Sequence, residues 1–221
     1  MRNFPLPFVL FSLLLLAACA QRPPVTGQSL SAGAAADGLQ PRSSGLDEVA
    51  AAFAFDLSGA SVYVAPVQVD YRKRFSAPGS LRARDYELDA KDRQKLDALM
   101  AQTFSEKFLA PRNSHLAENP ANADYRLQLS LENFSLAAPL EPTAWLWRVY
   151  TEQSAYGVLS GTLYDRNGNV VMRFRDRRDI GDQYGALSGP GRFERFTSVT
   201  FWADMKVDMR RAFASLDKSL R

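Results

Sequence analysis

Apolar and polar positions fall into a few readable stretches along the chain. From Ser61 to Asp70 the run Ser-Val-Tyr-Val-Ala-Pro-Val-Gln-Val-Asp is β-branched and apolar on both faces, which predicts a covered inner strand. Pro66 within it has no amide N–H to give a ladder, so a bulge or a locally unpaired edge is expected there. Between 89 and 110, Leu96, Leu99, Met100, Thr103, Phe104 and Phe108 share one face at helical spacing, and Pro111 stops the helix. Tyr125, Leu127, Leu129 and Leu131 alternate with Arg126, Gln128, Ser130 and Glu132, as in a half-buried strand. Residues 154–165 run into Asp165-Arg-Asn-Gly-Asn169, after which Val170, Met172 and Phe174 alternate with Val171, Arg173 and Arg175. Asn167-Gly168 supplies the positive φ angles of a tight hairpin turn. Phe201 to Leu220 reads as a helix with Trp202, Met205, Met209, Ala212, Phe213, Leu216 and Leu220 on one side. The order β-α-β-β-β-α predicts an α+β domain: a small, mostly antiparallel sheet with two helices packed on one face.

Ahead of residue 46 the pattern changes. Met1-Arg2-Asn3 is a short basic start, and Phe4 to Leu16 is almost wholly apolar. That run falls short of the about 20 residues needed to span a hydrocarbon layer and matches the apolar region of a secretory signal. Leu16-Ala17-Ala18-Cys19 resembles the bacterial lipobox. The resemblance implies cleavage before Cys19, diacylglycerol on its sulfur and a further fatty chain, such as palmitate, on the new amine. One chain anchors only marginally, whereas two or three hold lastingly. Ala20, where an aspartate often marks inner-membrane retention, points to the periplasmic face of the outer membrane. Ordinary secretion is the other reading: Ala18-Cys19-Ala20 also fits an A-x-A cleavage site, which would free Gln21.

Residues 20–45 carry Pro23, Pro24, Gly27, Gly33, Gly38 and Pro41, with Ser and Ala between and no helical or strand period. They read as a flexible tether with a root-mean-square reach of roughly 25–30 Å, or as a low-order domain edge that only spaces. The expected organisation is a signal peptide over 1–18, lipidated cysteine and tether over 19–45, and one domain over 46–221.

A hydrophobic share of 46% and a charged share of 23% suit a globular core. With 27 basic and 24 acidic residues the net charge is +3, a small excess from which Arg2 departs with the leader. No nucleic-acid partner follows from it. The single cysteine excludes an intrachain disulfide, and its place in the lipobox accounts for it.

Several segments together resemble a known group. They are Tyr63-Val-Ala-Pro-Val-Gln-Val69, the following helix with Asp92, Tyr150-Thr-Glu-Gln-Ser154, Thr162-Leu-Tyr-Asp165, Asp176-Arg-Arg178 and Trp202-Ala203. In that order they are similar to the bacterial lipoproteins grouped as domain of unknown function 3313, over nearly all of the chain after the tether. The aspartate- and tyrosine-containing segment that many members carry soon after the cysteine is missing here. The resemblance implies a lipid anchor and a domain type, and it brings no reaction and no catalytic residue.

Candidate chemistry is sparse. His115 is the lone histidine and has no neighbours that suggest a metal site or a Ser-His-Asp arrangement. Asp165-x-Asn167-x-Asn169 departs from a calcium loop, since Val170 stands where the sixth-position glycine belongs, and a hairpin turn fits better. In Gly157-Val-Leu-Ser-Gly161 the serine is one place late for a nucleophile elbow. Ser188-Gly-Pro-Gly191 lacks the lysine of a phosphate cradle. Arg173, Arg175 and Arg177 line one strand face and suit phosphate or carboxylate, though Asp176, Asp179 and Asp182 alongside point to a self-paired face. Trp145, Trp147 and Tyr150 either enter the core or form a projecting interaction loop bounded by Pro139 and Pro142.

The expectation is therefore a non-enzymatic, lipid-anchored binding or scaffolding protein of the cell envelope, with no cofactor and no metal. Its partners would be the membrane, through Cys19, and an envelope protein or polymer. The alternative is a carrier that holds a lipid or small apolar ligand between sheet and helices.

Overall fold

The computed structural model describes residues 30–72, 87–141, 149–182 and 193–221. The fold is α+β. Its sheet has eight strands, four of which pair in parallel somewhere along their length, so it is larger and more mixed than the sequence pattern predicts. In chain order the elements are α1 (Leu30–Ala36), β1 (Gln40–Pro41), β2 (Glu48–Ala51), β3 (Ser61–Val64), β4 (Gln68–Tyr71) and α2 (Ala90–Phe104). There follow β5 (His115–Leu116), β6 (Tyr125–Leu136), β7 (Val149–Thr151), β8 (Ala155–Asp165), β9 (Val170–Ile180), β10 (Glu194–Phe196) and α3 (Ser198–Ser219).

The sheet runs β1-β2-β9-β8-β6-β3-β5, with β4 pairing the second half of β6 beyond the end of β3. From β1 to β6 every pairing is antiparallel, while β3, β4 and β5 add in parallel. The chain from β4 to β6 passes through α2, the kind of long crossover a parallel pair requires. The run from Ser61 to Asp70 does break at Ala65-Pro66-Val67, which divides it into β3 and β4. β7 and β10 form a separate two-stranded ribbon.

α2 starts where Asp89, in extended backbone, accepts a hydrogen bond from the Asp92 amide at 2.7 Å. It continues as a wider π turn over Ser105–Leu109 and a tight turn over Ala110–Arg112, and left-handed Asn113 ends it just past Pro111. The π turn brings Phe108 and Leu109 inward together, stacking Phe108 on Phe104 at 4.8 Å between centroids. Thr197 opens α3 with a reciprocal cap to Thr200.

α2 and α3 pack together over one face of the sheet. Leu127, Leu129, Leu131, Leu159, Leu163, Met172 and Phe174 meet Phe104, Met205, Met209 and Phe213 there, all of them buried. Gly161 lets this layer close, because a Cβ at that position would overlap the Phe174 ring.

One expected boundary is corrected. Residues 30–45 do not all behave as tether: α1 lies on the opposite sheet face, and Ala34, Leu39 and Ala50 form a small buried cluster with Ala52 and Val170 alongside. The run Leu-Ser-Ala-Gly-Ala-Ala-Ala is rich in the strongest helix former, and Ala34 within it is buried against Ala50 of β2. The folded body thus begins before residue 46. Among the described residues, no helix is long and apolar enough to cross a membrane.

Candidate functional site on the uncovered sheet face

β6, β8 and β9 turn one set of side chains toward the helices and the alternate set away from them. Register builds rows across that second face: Tyr63, Arg126 and Tyr164; Gln128, Thr162 and Arg173; Ser130, Ser160, Arg175 and Glu48. α1 covers only the β2–β9 margin of it.

The middle of the face is a connected polar ladder. The Ser130 and Ser160 hydroxyls are 2.7 Å apart, Ser160 donates to Glu132 Oε1 at 2.8 Å, and Arg175 donates to Glu132 Oε2 at 2.8 Å. Arg173 donates through Nε to Asp37 at 2.7 Å. Arg177 anchors only its main chain, donating its amide to Asp47 at 2.9 Å, while the side chain is exposed. The three arginines therefore share one face as their spacing predicts. The carboxylates that pair with two of them are Asp37 and Glu132, remote in sequence, and not the neighbouring aspartates. Asp176 turns instead to the helix side, pairs with Arg178 and accepts the Asp47 amide at 3.1 Å. Burial pushes its carboxyl above the usual range against the pull of Arg178.

The remaining predicted residues scatter. Cys19, Trp145, Trp147 and the Ser188–Gly191 segment lie outside the described residues. Tyr150 is on β7, cross-strand from Arg195 and 54% exposed. His115 lies on the two-residue edge strand β5, away from the ladder serines. Asp165 is a turn residue: it accepts from the Asn167 and Asn169 amides at 2.8 Å and from Asn169 Nδ2 at 2.9 Å. These bonds hold its carboxyl below the usual range. It borders a polar cleft of about 480 Å³ with Asp56 and Asp124. Those two are occupied likewise, by Ser58 and Ser61, and Asp124 also pairs with Arg166 at 2.7 Å. Among the described residues, no group of three His, Cys, Asp or Glu is placed to hold a metal ion.

Sequence reasoning missed the acids on the inner side of α3. Asp204 accepts from the Ser154 hydroxyl, Asp208 accepts from the Gly181 amide at 2.9 Å, and both carboxyls are pushed up chiefly by burial. Asp217 holds Arg112 and Arg221. The available signal was their spacing: 204, 208 and 217 fall beside the apolar stripe that defines the helix. These contacts tie α3 to the strand ends and to the turn after α2, which is structural work.

Neither a protein-family model nor a curated protein matches the chain. Solved structures give only a loose likeness. A PelC dodecamer from Paraburkholderia phytofirmans is 14% identical with a TM-score of 0.41, covering 76% of this chain and 95% of that one. Protein XCC0632 from Xanthomonas campestris, of the domain of unknown function 330 family, is 13% identical with a TM-score of 0.38, covering 75% and 85%.

Proposed function

We propose that this chain is a lipid-anchored binding or scaffolding protein of the cell envelope, related to the lipoproteins of domain of unknown function 3313. Cys19 carries the lipid, and the uncovered sheet face engages an envelope protein or polymer from the periplasmic side of the outer membrane. One observation carries the binding half of this reading. With α2 and α3 on one side, the sheet leaves on the other a surface whose central polar groups, Ser130, Ser160, Glu132 and Arg175, are already fixed by one another. Such a face is preorganised, so a partner has little side-chain ordering to impose.

Catalysis has weaker support. Ser160 touches a carboxylate but no imidazole, and the only histidine is on the edge strand. A carrier is also disfavoured, because Phe104, Phe174 and Phe213 fill the space between sheet and helices with edge-to-face contacts at 5.3 and 6.4 Å. Two experiments test the proposal. Cys19→Ser should abolish incorporation of labelled fatty acid, and persistent labelling overturns the anchor. A photocrosslinker at Arg177 or Arg126 should capture an envelope component in cells. Crosslinks confined to this chain overturn the binding face.

A further inference from the structure

α1 is weakly held for an element that lies between an anchor and a binding face. It is seven residues long with a glycine inside, and alone such a segment would not stay helical in water. Its seat is a satellite cluster separate from the main core, consisting of Ala34, Leu39 and Ala50. Its principal polar tie is Arg173 to Asp37, with both side chains 27% exposed. An open cleft of about 370 Å³, lined by Ala34, Ala35, Leu39, Pro41 and Val49 among others, runs alongside the place where α1 meets β1 and β2. Gly38, at φ +71°, lies two residues past the end of α1 and turns the chain into Leu39.

We propose that α1 is a releasable latch on the uncovered face. Letting go frees Arg173, Ala50 and Val170 for a partner, and a carboxylate or phosphate on that partner would compete with Asp37 for Arg173. Release also changes reach, a consequence that rests on the lipid-anchor reading. With α1 seated, residues 20–29 join Cys19 to the body and span at most about 35 Å; with it free, residues 20–38 span up to about 65 Å. Binding and stand-off from the bilayer are thereby coupled through one short helix.

Residue-level hydrogen exchange on the mature chain tests the latch. The amides of Asp37, Gly38 and Leu39, bonded within α1 and its turn, should exchange at least about a hundredfold faster than those of Leu129 and Leu159 in mid-sheet. Arg173→Ala should speed them about threefold further. Gly33→Ala should slow them about fivefold, since a Cβ there meets only the Arg173 guanidinium, at an ordinary 3.9 Å. Equal rates at both sets of amides, or variants that shift the whole sheet together, overturn the latch. On vesicles bearing the lipidated chain, quenching of a probe on the body by headgroup-labelled lipid should fall in Arg173→Ala and rise in Gly33→Ala. Unmoved quenching alongside the expected exchange overturns the change of reach alone. A Cys19 found without lipid overturns the anchor and leaves the exchange result standing.

Discussion

Arg112 joins the turn after α2 to the last turn of α3. Its guanidinium donates to the Phe108 carbonyl at 2.9 Å, to the Asp217 carboxylate and to the Asp217 carbonyl at 3.2 Å, and lies over the Phe108 ring at 4.1 Å. The two side chains are 11% and 8% exposed. Arg112→Met keeps much of the stem and removes the charge, which strands a buried carboxylate. Breaking a buried pair costs about 3–5 kcal/mol when nothing replaces the lost partner. Here Arg221 remains, with Nε 2.8 Å from Asp217, but its side chain is 61% exposed and screened. The net cost should therefore be about 3 kcal/mol, enough to lower Tm by about 6–12 °C in a domain of this size. Asp217→Leu in the same background removes the orphaned charge and should recover most of the loss, whereas Arg221→Ala alone should cost under about 1 kcal/mol. Urea unfolding of the two single variants and the double variant measures the cycle. A loss under about 1 kcal/mol for Arg112→Met, or additive single effects, would refute the view that the two charges depend on each other.

Two further outcomes follow from the packing of the sheet and α3. Burial, with Asp208 and Glu194 nearby, raises the Asp204 carboxyl. Its contribution to stability is therefore full below the unfolded value of 3.8 and is lost as pH rises through the higher folded value. Asp204→Asn should raise the urea midpoint at neutral pH and flatten its decline from mildly acidic pH; a lowered neutral midpoint with an unchanged pH slope contradicts this. Gly161→Ala drives a methyl into Phe174 and to within 3.1 Å of Leu129. It should cost about 1–3 kcal/mol and weaken the near-ultraviolet aromatic signal, and a neutral result would mean that the layer has slack.

What the sequence showed depended on how many residues each element had in which to repeat. The long strands β6 and β9 and the helices α2 and α3 declare a period, and the Asn167-Gly168 turn forms with only Gly168 of the pair at positive φ, +83°. β2, β5, β7 and β10 offer two to four residues each, too few for a period to emerge. α1 was hidden because its alanines read equally as linker. The addition of β3 and β4 in parallel was not visible either, since edge order depends on where α2 carries the chain. On the open face, the side on which Arg173 and Arg175 lie followed from alternation, but Asp37 and Glu132 are 136 and 43 residues away, and no local pattern names such partners.

Asn133 shows how much one residue can decide. At φ +51° it is an extra position on β6 that neither β4 nor β8 matches. Ahead of it the odd-numbered side chains Leu127, Leu129 and Leu131 point inward; behind it the even-numbered Phe134 and Leu136 do. A strand that kept strict step through Asn133 would send Phe134 and Leu136 to water, so the bulge takes up the extra residue and returns the second half of the strand to the inward phase. Deleting Asn133 would remove the bulge and leave an unbroken alternation, with Leu131, Phe134 and Leu136 still inward and Glu132 and Ser135 still outward.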